Sequence, residues 1–307
     1  MIHNKFIRDN TAVAGVIEAL LLVALVAVIL SVIQFSYVPV IMEQKESDHM
    51  DQVSNQFSQL KSVIEIQGMM GIMGTGQTAT YTPMASPITL GSKELPYFVS
   101  ARSSGQIDLT DKTDAGDYRI VTFTDSQLTI PLTSIKYTAN NFYFPKGPID
   151  QWQEYILEGG GLILKQSDGE VMRINPGIAV ENYSELGYIK IKYFLPSFNG
   201  VAGKKYSSTD YRDCYIYTNY TSYYSKSGFA SYIYIYTNYP DAWYDSLANE
   251  SRGILREYCS APNSYITVQL DDTVTPNRVK IIPFNKNIYI DINVAEIGVQ
   301  IGPGYVP

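Results

Sequence analysis

Hydrophobic positions fall along this chain in two different patterns. From Ala12 to Ile33 they are continuous: across 22 residues the only formal charge is Glu18. Leu20, Leu21, Leu22, Val23, Leu25, Val26, Val28, Ile29 and Leu30 follow with almost no polar relief. A helix rises about 1.5 Å per residue and a bilayer core is about 30 Å thick, so a run of this length predicts a membrane-spanning helix. Its span is placed at about residues 12–36. Beyond it the pattern becomes periodic. Met50, Val53, Phe57, Leu60 and Ile64 recur at spacings of three and four, with Lys45, Glu46, Asp48, Asp51, Gln52, Ser58 and Gln59 elsewhere. That is one apolar helical face. A helix over 12–67 is therefore expected, kinked at Pro39, with its outer half lying on the body that follows. The Gly-rich stretch 68–76 is expected to end it, because glycine accepts the left-handed conformation of a helix C-terminus.

From Thr78 onward, short apolar runs alternate with turn residues, as strands do. Candidate strands are Leu95–Ala101, Tyr118–Thr124, Ser134–Phe142, Gln153–Leu157, Gly161–Gln166, Val171–Asn175 and Ala179–Tyr183. Further along lie Tyr188–Leu195, Cys214–Tyr224, Phe229–Asn238, Ser264–Leu270, Arg278–Pro283 and Asn287–Ile292. Ile288, Ile290, Ile292 and Val294 line one face of the last, a period of two that fits a half-buried antiparallel strand. One helix interrupts this series, from Pro240 to about Cys259, with Trp243, Leu247, Ile254, Leu255 and Tyr258 as its apolar stripe. The fold class is thus α+β, mainly β: a long transmembrane helix, then an antiparallel β-rich domain over 78–307 with one covering helix. A boundary at 141–151, around Pro145-Lys146-Gly147-Pro148, and a single elongated domain are both compatible with the pattern.

Charge sets the orientation. Lys5 and Arg8 precede the apolar run, whereas Glu43, Glu46, Asp48 and Asp51 follow it against one Lys45. Basic residues stay on the cytoplasmic side, so the N-terminus is expected inside and the β-rich body outside the cell. A cleaved secretory signal has a shorter apolar core ending in small residues. Ser36-Tyr37-Val38-Pro39 is a poor site of that kind, which favours a retained anchor. Glu18 costs a few kcal/mol inside a bilayer. It either snorkels to the inner interface or pairs with the N-terminal amine of a neighbouring subunit. The net charge of −7 argues against nucleic acid and against an anionic membrane surface as partners of the body.

The stretch Asp9-Asn10-Thr11-Ala12-Val13-Ala14-Gly15-Val16-Ile17-Glu18 and the Leu/Val run after it resemble the N-terminus of archaeal type IV pilin-like proteins. The resemblance implies a short basic leader, residues 1–11, removed on the cytoplasmic side by a prepilin peptidase. The helix then anchors the protein or packs among like subunits, where Val16, Leu20, Val23 and Ala27 would meet. In the family the cut follows a charged residue and then Gly or Ala. Here Asn10, Thr11 and Ala12 mark the region, while aligning Glu18 with the fifth-position Glu of bacterial-type pilins would start the mature chain at Ala14. Two later stretches are similar to an uncharacterised family of archaeal pilin-like surface proteins. They are the hairpin Tyr155-Ile156-Leu157-Glu158-Gly159-Gly160-Gly161-Leu162-Ile163 and the region Tyr239-Pro240-Asp241-Ala242-Trp243. That family implies an extracytoplasmic β domain with no established ligand. The expected partners are a membrane, the peptidase and other pilin-like subunits. The alternative is a tethered monomer that binds a glycan or a surface protein.

Candidate chemistry is sparse. Cys214 and Cys259 are the only cysteines, and an even count in an oxidising compartment predicts a disulfide between them, with two buried thiols as the alternative. Asn182, Asn219 and Asn249 head Asn-x-Ser/Thr sequons, with Asn219 and Asn249 the more plausible glycan sites. The hexapeptide at Tyr215–Tyr220 recurs at Tyr234–Tyr239. Tyr215, Tyr217, Tyr234 and Tyr236 either form an aromatic contact surface or are good strand formers on neighbouring strands. His3 lies in the leader and His49 just beyond the span, so no histidine chemistry is expected in the β body. The acidic runs 108–114 and 271–272 lack the EF-hand pattern. Neither a cofactor nor an enzymatic activity is expected.

Overall fold

A computed structural model describes residues 3–73, 82–91, 103–123, 127–143, 152–201, 207–210, 212–259 and 265–302, with side chains from Val13 onward. Helix α1 (His3–Val32) passes through a π-turn (Ile33–Tyr37) into α2 (Val38–Met73) without a break. The π-turn stands where the kink is expected. Pro39 lacks an N–H and crowds the carbonyl four residues back, and the wider turn relieves this, with the Val38 N–H reaching Ile33 O. The helix also runs past its expected end at residue 67. Gly68 and Gly71 lie inside it, where a Cβ would collide with the rings of Phe194 and Tyr220. These glycines permit close packing and do not terminate the helix.

Strands β1 (Met84–Thr89), β2 (Ser104–Thr110), β3 (Arg119–Phe123), β4 (Gln127–Pro131) and β5 (Ser134–Asn140) follow. Then come β6 (Trp152–Glu158), β7 (Gly161–Gln166), β8 (Gly169–Ile174), β9 (Gly177–Tyr183), β10 (Tyr188–Gly200), β11 (Ser207–Asp210), β12 (Asp213–Ala230) and β13 (Tyr232–Tyr236). Helices α3 (Pro240–Ala248) and α4 (Arg256–Cys259) precede β14 (Ile266–Asp271), β15 (Arg278–Pro283) and β16 (Asn287–Gly302). They form three sheets: a long one, β1-β12-β16-β10-β9; a six-stranded one, β11-β2-β5-β6-β7-β8; and an outer one, β14-β15-β13-β3-β4. Pairing is antiparallel except between β10 and β16, which run parallel from Tyr188↔Asn287 to Gly200↔Val299.

The long sheet serves two cores through opposite faces. Ile288, Ile290, Ile292 and Val294 of β16 join one core with the outer sheet, α3 and the Ile156 and Ile163 side of the six-stranded sheet. Ala295, Ile297, Val299 and Ile301 of the same strand join the other, with α2 and the Tyr155, Leu157 and Leu162 side. The seam Met50, Val53, Phe57, Leu60 and Ile64 is buried there, as its spacing predicts. Polar helix residues fasten the same face. Glu46, fully buried, accepts the amides of Phe142 and Tyr143 at 2.9 and 2.7 Å, and Gln67 donates to Thr218 O at 2.9 Å.

Several expectations are corrected. The expected helix 240–259 is two helices, because Asn249 Oδ1 accepts the Ser251 and Arg252 amides and turns the chain. The expected pair 214–224 and 229–238 is one 18-residue strand, β12, followed by β13 in a different sheet. Strand β1 carries Pro87, which its edge position tolerates. The candidate strand 95–101 lies outside the described residues, as does most of 141–151. Strands β5 and β6, flanking the latter, pair from Ser134↔Glu158 to Asn140↔Trp152.

Candidate functional site

Three features stand out once the cores are accounted for. The first is bare helix. From Val13 to Ile41 the helix lies outside the body: Leu20, Val23 and Phe35 are 64, 68 and 81% exposed. The span is about 43 Å at 1.5 Å per residue, enough for a bilayer core and one interface. Glu18 projects from this segment and is exposed. Asn10, Thr11 and Ala12 lie within α1, upstream of the described side chains. The exposed face of α2 is polar from Gln44 to Ser62 and turns apolar at Ile66, Met69, Met70 and Met73.

The second feature is aromatic. Tyr215 and Tyr217 sit on the long sheet, with ring centroids 6.1 Å apart, whereas Tyr234 and Tyr236 sit on the outer sheet. The sequence echo therefore falls on two sheets, not on neighbouring strands. Tyr232 and Tyr234 stack at 4.6 Å, and Arg278 lies over the Tyr234 ring at 4.4 Å. Arg278 and Lys280 both grip Asp271, and with Thr273 they hold its carboxyl well below the usual range. A larger cluster escapes sequence reading: Tyr183, Tyr188, Phe229 and Tyr289 meet at centroid distances of 5.1–5.9 Å. Gly71 near the end of α2 abuts Tyr220 of β12. Phe229 lies nine residues further along that strand. At about 3.3 Å per residue this places the cluster about 30 Å beyond the helix.

The third feature is a buried junction. The hairpin between β6 and β7 turns at Gly159 and Gly160, with φ of +58° and +80°. Its last strand residue, Glu158, is buried, and Oε1 accepts Thr237 Oγ1 at 2.6 Å and the Trp243 indole N–H at 2.9 Å. Burial pushes this carboxyl up to about 7, against the opposing pull of those donors, and Glu170 adds repulsion. Tyr193 of the long sheet donates to Gly159 O at 2.7 Å. Glu170 of β8 accepts the Asp241 and Ala242 amides at 2.8 and 3.2 Å, capping α3 from a distant strand. The notable signal in the sequence was a lone acid directly before a Gly-Gly turn and between two apolar strands.

The remaining candidates are placed as follows. Cys214 and Cys259 are not joined. Cys214 belongs to the core beneath α2, and Cys259 packs against the other core, where burial raises its thiol pKa. The expected disulfide is absent because β12 and α4 deliver the two thiols to different cores. Asn182 is exposed on edge strand β9, Asn219 is half-buried, and the Asn249 amide nitrogen donates to Asp245 at 2.6 Å. Asn249 Oδ1 meanwhile accepts the Ser251 and Arg252 amides, so the side chain is engaged at both ends. His49 does reach the body: its Nε2 lies 2.9 Å from Thr89 O and its ring meets Tyr137 edge-on. Asp111 caps its own turn through the Thr113 and Asp114 amides. Among the described residues, no group of three or more His, Cys, Asp or Glu is placed to hold a metal. Neither a protein-family model, nor a curated protein, nor a solved structure matches this chain.

Proposed function

We propose that this protein is a structural component of a cell surface, of the type IV pilin-like kind, anchored or assembled through its N-terminal helix. One observation carries the reading. A single helical rod is bare and apolar over its first half and built into the β body over its second. A soluble core helix would be covered throughout, and a simple anchor would have no reason to continue as the spine of the domain. Basic residues before the span and acidic ones after it support an outward-facing body. Glu18 in the bare segment supports assembly, since a carboxylate among apolar neighbours needs a partner.

A second reading, a tethered monomer that binds a glycan or a surface protein, is favoured by the aromatic groups on the long sheet, where Tyr183, Tyr215 and Phe229 are exposed. Glu18→Leu separates the two. As an assembly subunit, the variant reaches the membrane but no longer forms the particles or filaments seen by electron microscopy. As a tethered monomer, it behaves like the parent. N-terminal sequencing of the mature protein adds an independent check. A start between Thr11 and Ala14 supports leader removal, and an intact Met1 contradicts it.

A further inference from the structure

Glu158 serves no anchoring role, yet it occupies the place where the body is knitted together. Its hairpin tip belongs to the six-stranded sheet. Thr237 follows β13 of the outer sheet, Trp243 belongs to α3, and Tyr193 comes from the long sheet. Thr237 Oγ1 also accepts the Tyr239 amide at 3.0 Å, which leaves its hydroxyl hydrogen to point at Glu158. Both donors converge on Oε1, so a proton on the group belongs on Oε2.

The charged neighbours do not neutralise the site. Glu170 on β8 repels it. Lys165 on β7 is spent on the ring of Tyr239, at 5.2 Å, and on Glu170. Tyr193 and Tyr239 are phenols whose ionisation burial suppresses; Glu154 and Tyr118 act on Tyr239, and Asp241 acts on Glu170. An ionised Glu158 therefore has two neutral donors and no counter-ion of its own among these groups. A buried charge in that position is strongly disfavoured unless water or a cation reaches it.

We infer that Glu158 is a proton-operated latch: protonated, it holds the hairpin tip dry between the three sheets and α3; ionised, it loosens that junction. The direction follows from linkage. A carboxyl whose folded pKa lies above its unfolded value binds more protons in the native state. Stability from it is greatest in acid and falls as pH rises from about 4.5 towards 7. The latch holds in mildly acidic surroundings and yields above neutrality, whichever reading of the N-terminal helix holds.

The test uses the full chain in detergent, unfolded in urea at pH values from 5 to 8, beside Glu158→Gln. The ratio of the two unfolding constants is expected to shift by of order a hundredfold across that range, with the parent losing stability relative to the variant. Parallel curves overturn the proposal. A second measurement needs no folded Glu158 variant. With Trp152→Phe in the background, Trp243 emission reports the junction directly, and a transition between pH 5 and 8 is expected. Thr237→Val removes one donor to the anion and should move that transition to higher pH. A flat emission profile, or an unmoved transition in the Thr237 variant, contradicts the latch.

Discussion

At the residue scale, the geometry of a few side chains decides what the chain tolerates. Gly159 has a positive φ, and a Cβ there would come within 2.6 Å of Tyr193 Oη and 2.8 Å of the Trp243 ring. Gly187 also has a positive φ, +79°, but opens onto free space. Gly159→Ala should therefore cost about 3 kcal/mol, the left-handed penalty plus overpacking, and Gly187→Ala about 1 kcal/mol. Urea midpoints at unchanged m-value give both figures, and equal losses would refute the packing argument. Glu46 makes a similar case in polar form. Its carboxylate holds two backbone amides in a buried site, so Glu46→Ala should cost about 2–3 kcal/mol. Little of this was legible beforehand. The Gly-Gly turn is visible in the letters, but its neighbours come from strands and helices 34 to 85 residues away. The same distance hides why Cys214 and Cys259 stay apart.

At the scale of elements, local periodicity was informative and strand partnership was not. The seam from Met50 to Ile64 and the alternation of β16 are patterns within one element, and each appears as a buried face. The length of β12 was missed because its exposed outer half, Ser222 to Phe229, is polar and aromatic and looks like a turn between two strands. That half is held by pairing with β16, from Ser222↔Glu296 to Ala230↔Ile288, a long-range cause that no window reveals. β1 and β11 are short edge strands with weak patterns of their own. The seam also gives a sharp contrast to measure. Phe57→Ala should lower stability by about 3–5 kcal/mol, whereas Gln59→Ala on the exposed face should stay within about 0.5 kcal/mol. Denaturant unfolding of the two variants checks the pair.

At the scale of the whole molecule, the helix is divided between two environments near Met42, the first residue of the rod that is fully buried in the body. A chain starting at Val38 keeps every residue that packs on the sheets. It should be recovered without detergent, with the melting midpoint of the body unchanged by circular dichroism. Loss of cooperative melting would mean that the bare segment contributes to the fold. The central claim concerns sides: the apolar segment is retained and the body faces outward. Protease treatment of intact cells carrying a tag after Pro307 tests it most directly. The account predicts that the tag is removed from intact cells while a fragment containing the N-terminal helix stays with the membrane. A tag protected in intact cells and cut only after lysis would contradict it.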